Sequence, residues 1–213
     1  MALNPQQLAQ QIAQAIGQEA ASPQTLGEAT AIIQELMSNG LVSNLPGTVM
    51  GVAPPSGGPL SAGTATSGKI LGISGPTLAS AFQSAMGYPS ITPQLLSLAN
   101  GITGHILAAG MVSFTTGMIL GACSNTATSP GALTGLPSTG GKIAGLDGSA
   151  MAVMISPPFG GPPSDQLTNM CKAICTHIMS QAVVTYSAGA IVGVVSAGGG
   201  PVAMGAGVGG KIT

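Results

Sequence analysis

The stretch "GGKIAGLDG" from Gly140 to Gly148 contains Lys142, one of only four basic residues in a chain of 213. Two of the other lysines lie in the same tripeptide, Gly-Lys-Ile, at Lys69 in "TSGKILGIS" and at Lys211 in "GGKIT". The three tripeptides are about 70 residues apart. Recurrence of a rare residue in one setting at a fixed spacing indicates an internal repeat, which sets the architecture of any fold that contains it.

A second motif recurs at the same spacing. It reads "LVSNLPGTVMGVA" at 41–53, "MVSFTTGMILGAC" at 111–123 and "VVTYSAGAIVGVV" at 183–195, with offsets of 70 and 72 residues. Each copy has a hydroxyl residue at its third position and glycine at its seventh and eleventh. The glycines are Gly47 and Gly51, Gly117 and Gly121, and Gly189 and Gly193.

The segments before these stretches predict three helices. They are "SPQTLGEATAIIQEL" at 22–36, "TPQLLSLANGITGHI" at 92–106 and "SDQLTNMCKAICTHI" at 164–178. Each opens with Ser or Thr, which suits an N-cap, followed by Pro or Asp, which suits the first turn. Apolar or small residues then recur at helical spacing.

We therefore predict an α+β protein of three tandem units of about 71 residues, at 1–72, 73–145 and 146–213, packed as one compact body. Each unit has a leading segment, an amphipathic helix, an apolar glycine-punctuated segment and a glycine-rich loop that ends in Gly-Lys-Ile. A solenoid needs polar caps at its ends, and the sequence has none. We therefore favour a closed pseudo-threefold arrangement, with a ring or a stack of the units left open.

The apolar segments allow two interpretations. As strands, they are rich in β-branched residues, and the glycines mark tight turns or close backbone approach. As membrane helices, the charge-free run 102–122 is long enough to span a bilayer, and Gly-xxx-Gly is a helix-packing motif. Pro46 interrupts the first copy, and basic flanking residues that set membrane orientation are missing, so we favour strands.

Composition limits the partners. Charged residues make up 4% of the chain and the net charge is −1, whereas globular domains are about 25% charged. Nucleic acid is excluded because phosphate binding needs clustered Lys or Arg. Low charge favours association, so we expect other protein subunits as partners, including copies of the chain itself. Lys69, Lys142 and Lys211 are the predicted partner contacts.

Candidate chemistry is sparse, and we expect neither an enzyme nor a cofactor. "GTATSGK" from Gly63 and "GAGVGGK" from Gly205 have phosphate-loop spacing, but Ile follows each Lys, so no hydroxyl is available for magnesium. Cys171 and Cys175 lack a second pair for zinc and are interpreted as packing residues.

One corresponding position is polar in all three units. It holds Glu35, His105 and His177. If the three predicted helices met around an axis, these side chains would form a two-histidine, one-carboxylate metal site. We keep that site as an alternative to packing or partner contact.

In overall style the chain resembles virion structural proteins of tailed bacteriophages, of the tail or baseplate type. The resemblance lies in the near absence of charge, the abundance of Gly, Ala, Ser and Thr, and the fused repeats. It implies a structural assembly protein located in a virion, on a three- or six-fold axis. The alternative is a membrane-associated or pore-forming protein that uses the Gly-xxx-Gly segments.

Overall fold

The computed structural model describes residues 3–213, which form a mixed α+β protein. Within the described residues, 3–213, six α-helices and ten strands follow one another in alternating groups. The helices are α1 Pro5–Ala15, α2 Pro23–Asn39, α3 Gly75–Met86, α4 Pro93–Ala109, α5 Gly148–Ile155 and α6 Asp165–Gln181. The strands are β1 Leu41–Ala53, β2 Gly58–Pro59, β3 Ser61–Leu71, β4 Met111–Phe114, β5 Gly121–Cys123, β6 Gly131–Gly135, β7 Ser138–Ala144, β8 Val184–Tyr186, β9 Ile191–Val195 and β10 Gly200–Ile212.

Contacts divide the chain into two units, each assembled from three separate segments. The helical unit comprises residues 1–40, 72–110 and 145–182. The strand unit comprises residues 41–71, 111–144 and 183–213. The predicted boundaries at 72 and 145 fall where the chain passes from a strand segment to a helical segment.

The long helices begin where the sequence predicts. Ser22, Thr92 and Ser164 are their N-caps, and each hydroxyl accepts a hydrogen bond from the backbone N–H three residues later, at 3.1 to 3.2 Å. Each cap satisfies one of the four backbone donors that a helix start leaves unpaired. The three helices α2, α4 and α6 all have 17 residues.

Within the helical unit, each helix packs against its neighbour in chain order, and α6 packs against α1. The six helices therefore form a closed circuit. Its core is aliphatic with a single aromatic ring, Phe82. The other large buried side chains include Leu8, Ile12, Ile32, Leu36, Leu78, Ile102, Ile106, Met151, Ile155, Ile174 and Ile178.

The strand unit is a closed β-barrel. The antiparallel strands run in the order β1-β3-β4-β7-β8-β10, and β10 pairs with β1, which closes the sheet. A second row of paired strands runs from β10 through β9, β6 and β5 to β2, and Leu60 alone separates β2 from β3 along the chain. Closure removes the free edges of the first circuit, whereas β2 ends the second row and, among the described strands, pairs with β5 alone.

The apolar glycine-punctuated segments are strands, so the interpretation of them as membrane helices is wrong. The first glycine of each copy turns the chain: Gly47, Gly117 and Gly189 have φ of 87°, 88° and 77°, values that favour glycine. The second glycine allows close packing, because a Cβ at Gly51 would lie 2.7 Å from the Leu60 side chain. Gly121 and Gly193 have corresponding contacts with Leu133 and Val202.

The loop predicted before each Gly-Lys-Ile is also wrong, because β3, β7 and β10 contain these tripeptides. Glycine is normally depleted in strands. Here it replaces side chains that would collide with the barrel core: a Cβ at Gly141 would lie 2.5 Å from the Phe114 ring, and one at Gly210 would lie 2.8 Å from the Tyr186 ring.

Candidate interaction surfaces

The barrel core holds the residues at corresponding positions 44, 114 and 186. The rings of Phe114 and Tyr186 are 5.4 Å apart, and the Tyr186 hydroxyl donates a hydrogen bond to Asn44 Oδ1. Asn44 Nδ2 donates to the Thr66 carbonyl at 2.9 Å. Burial raises the pKa of Tyr186. This interior is filled and hydrogen-bonded, so the barrel's candidate site is on its outside.

Inward and outward residues alternate along the glycine-punctuated segments. Val49, Ile119 and Ile191 point inward and are fully buried. The outward positions that follow are also apolar, and five of the six are large side chains exposed by 45 to 51%. We call this set the apolar girdle; it consists of Met50, Val52, Leu120, Ala122, Val192 and Val194.

The cross-strand neighbours of the girdle carry no charge. Val192 pairs with Thr134 and Ala206, and Val194 pairs with Ala132 and Ala203. Large exposed side chains normally belong to polar residues, and a contiguous apolar patch marks an interaction surface. The girdle is therefore a candidate interaction surface of the strand unit.

Met204 is a further exposed apolar residue of the strand unit, and its backbone conformation is unusual for a residue other than glycine. It is 68% exposed, and its φ of 52° lies in the left-handed region. Glycine adopts this conformation at no cost, and the chain has 34 glycines. Ala62 and Ser67 of the same unit have similar φ values of 51° and 56°, so the exposure of Met204, and not its backbone conformation, adds it to the candidate surface.

The three predicted contact lysines lie on the outer face of the barrel. Lys69, Lys142 and Lys211 are exposed. The isoleucine after each of them is buried, with no more than 2% exposure for Ile70, Ile143 and Ile212. Each Gly-Lys-Ile therefore presents its lysine outward and anchors itself by its isoleucine. Partner contact by these lysines stays a prediction.

Charge is divided unequally between the two units. The strand unit has these three lysines and no Asp or Glu, so its formal charge is +3. The helical unit has all five acids and Lys172, so its formal charge is −4. Each unit therefore carries charge that it cannot neutralise within itself.

The predicted convergence of Glu35, His105 and His177 on a metal is wrong. Glu35 Oε1 accepts the Ser74 N–H at 2.7 Å, and His105 Nε2 accepts the Asp147 N–H at 2.9 Å. Ser74 and Asp147 are the N-caps of α3 and α5. The two side chains thus tie a long helix to the start of the next helical segment, and residues 3–213 contain no cluster of three potential metal ligands among His, Cys, Asp and Glu.

His177 makes a different contact from its counterparts. Its Nδ1 lies 2.9 Å from Gln11 Oε1, so the ring donates there and Nε2 is left as an acceptor. That Nε2 is buried and has no hydrogen-bond partner among the described residues. Burial lowers the pKa of both histidines, and the charge of Asp147 partly opposes the effect at His105.

We predict that the protein loses stability as the pH falls below about 6.5, the ordinary pKa of histidine. A histidine whose pKa is lowered by folding binds its proton more readily in the unfolded state, so acid favours unfolding. His105→Gln keeps an acceptor for the Asp147 N–H but cannot titrate. The variant should lose less stability than the original chain between pH 7 and pH 5, and the loss that remains is expected from His177, which still titrates.

Urea unfolding of both proteins at pH 7 and pH 5 measures this difference. An equal shift of the two urea midpoints with pH would contradict the role assigned to His105.

Cys171 and Cys175 lie buried on α6. Burial raises the pKa of both thiols to about 12. A thiol is reactive as the thiolate, so these two cysteines are inert at neutral pH and act as small packing residues.

No protein-family model, curated protein or solved structure matches the chain. None of the helices in residues 3–213 combines the length and the apolar character needed to cross a bilayer. The girdle, which sequence reasoning missed as a surface, had one signal: the outward positions of the alternating strands are as apolar as the inward ones.

Proposed function

We propose that this protein is a structural protein, without enzymatic activity, that works by assembling with copies of itself and other subunits into a large symmetric complex. The observation that carries the proposal is the apolar girdle. Removing apolar surface from water contributes about 25 cal/mol per Å², and interfaces of permanent complexes are more hydrophobic than ordinary surface. Five large apolar side chains exposed by 45% or more on one barrel match that description.

The proposal includes a triplicated architecture. Three long helices of equal length, N-capped alike, alternate with three strand segments whose turn glycines have similar φ. Corresponding residues 44, 114 and 186 meet in the barrel core. A pseudo-threefold barrel suits an assembly with three- or six-fold symmetry, because it offers similar contacts in three directions.

Low charge supports the same role. Burying an unpaired charge at an interface is costly, and the girdle and its cross-strand neighbours have none to bury. We further propose, from the resemblance in composition and repeats, that the complex is the tail or baseplate of a tailed-phage virion.

Val194→Lys tests the girdle. We expect it to weaken self-association at least tenfold, because it places a lysine charge where the proposed interface would bury the methyl groups of Val194. A tenfold change corresponds to about 1.4 kcal/mol. Sedimentation velocity over a concentration series gives the association constant. Val153→Lys is the matched control, since Val153 is 59% exposed on α5 of the helical unit.

Equal association by the two variants would contradict the proposed role of the girdle. Circular dichroism on each sample checks that the fold is retained, which is expected because both side chains point into solvent.

A further inference from the structure

The helical unit has a groove that brings together its exposed aromatic rings and a carboxylate. Glu28 comes from α2, Tyr88 follows the end of α3, and Phe159 lies in a short 3-10 helix after α5. Leu95 and Leu98 of α4 also line it. Its volume is about 200 Å³, below the roughly 300 Å³ at which sites for drug-sized molecules begin. That size suits a single side chain.

Aromatic residues are rare in this chain, so it is notable that two of them line one groove. The chain has five Phe and Tyr residues and no Trp. Three of them, Phe82, Phe114 and Tyr186, are fully buried in the cores. The other two, Tyr88 at 49% and Phe159 at 57% exposure, both line this groove.

Glu28 is the acidic member of the groove. It is half-buried, and burial raises its pKa. No hydrogen bond or ion pair joins its carboxylate to another residue among 3–213. A carboxylate that is partly desolvated without a partner costs stability, and a cation bound in the groove would offset that cost.

Aromatic faces beside a carboxylate attract a cation. The ring faces are electrostatically negative and hold an ammonium group within about 6 Å of their centres, and the carboxylate adds a charge-assisted hydrogen bond. The apolar wall of Leu95 and Leu98 suits the methylene stem of a lysine, which normally packs on apolar surface.

We propose that this groove receives the side chain of a barrel lysine, Lys69, Lys142 or Lys211, from a second copy of the chain. The inference rests on the proposed self-assembly and names one of its contacts. The strand unit carries these exposed lysines and no carboxylate, and the chain has no Arg. The acids are all in the helical unit, so association of a barrel with the helical unit of another copy pairs the complementary charges.

Glu28→Gln separates this role from a structural one. Burial penalises the charged form of the Glu28 carboxylate, and the neutral amide of the variant removes that penalty. The variant chain should therefore unfold at a higher urea concentration when diluted to the monomer, yet self-associate at least tenfold more weakly. Glu19→Gln, at an exposed acid outside the groove, is the matched control and should change neither quantity.

Self-association of Glu28→Gln equal to that of the original chain would overturn the proposal. The girdle variant Val194→Lys keeps the two hypotheses distinguishable. If Val194→Lys weakens association and Glu28→Gln does not, the groove inference fails and the proposed function stands. If the original chain is a monomer at every concentration, both fail.

Zero-length cross-linking identifies the residue that contacts Glu28. A carbodiimide activates a carboxylate, and an amine in contact displaces the resulting urea to form an amide. We would treat a mixture of ¹⁴N- and ¹⁵N-labelled protein and analyse the peptides by mass spectrometry. An intermolecular amide between Glu28 and one of the three barrel lysines supports the proposal. Amides of Glu28 with Lys172, or none at Glu28, would overturn it.

Discussion

Phe114→Ala should lower the free energy of unfolding by about 4 kcal/mol, within the range for deleting a buried phenylalanine ring. The ring is 1% exposed, packs 5.4 Å from the Tyr186 ring and lies against Gly141. Its neighbours belong to β7 and β8, whose closed pairing limits how far they can move into the cavity. Urea unfolding followed by circular dichroism measures the loss.

In protein diluted to the monomer, Phe159→Ala is the control for this prediction, because it makes the same chemical change at a ring that is 57% exposed. We expect a change within about 0.5 kcal/mol, as for most surface substitutions. A loss below about 1 kcal/mol for Phe114→Ala would mean that the barrel core is not packed around this ring.

Gly205→Ala should lower the free energy of unfolding by about 3 kcal/mol, at the upper end for overpacking. A Cβ at this position would lie 2.1 Å from the carbonyl oxygen of Val49. Backbone atoms cannot rotate away as a side chain can, so β1 and β10 would have to separate. These two strands form the pair that closes the barrel.

The control is Gly161→Ala. Gly161 has no atom within 4 Å of an added Cβ and no positive φ, so alanine should be neutral there in urea unfolding. If Gly205→Ala were as stable as Gly161→Ala, the close approach of β1 and β10 would be contradicted.

Local signals predicted the helices well. The N-cap hydroxyls at Ser22, Thr92 and Ser164, with Pro or Asp next to them, marked the first residues, because capping depends on neighbours within one turn. The glycines of the strand segments were also interpretable, since a turn and a close packing contact each need a residue without Cβ.

The loops predicted before Gly-Lys-Ile were wrong for a non-local reason. Sequence alone makes "STGGKIA" look irregular, because glycine has low strand propensity. The strand forms since Gly141 is where the Phe114 ring packs, and that ring lies 27 positions earlier in the chain. Asn44 is similar: a polar residue enters the core because Tyr186, from another segment, donates to it.

The surfaces, too, include features that nearby residues predict and features that depend on distant segments of the chain. The lysines were predicted as contact residues and are exposed, but the strand alternation that buries the isoleucine beside each of them was missed, because loops were predicted there. Glu28, Tyr88 and Phe159 come from separate segments, so no spacing in the sequence connects them. The histidine and glutamate position was recognised as recurrent, but its hydrogen bonds to Ser74 and Asp147 depend on how successive helical segments pack.

The molar mass of the purified protein in solution, measured by light scattering across micromolar concentrations, tests the central claim of self-assembly most directly. The proposed function predicts a multiple of the 20.5 kDa chain mass that falls toward one chain in Val194→Lys. A mass of one chain at every concentration, unchanged by the girdle variant, would contradict it.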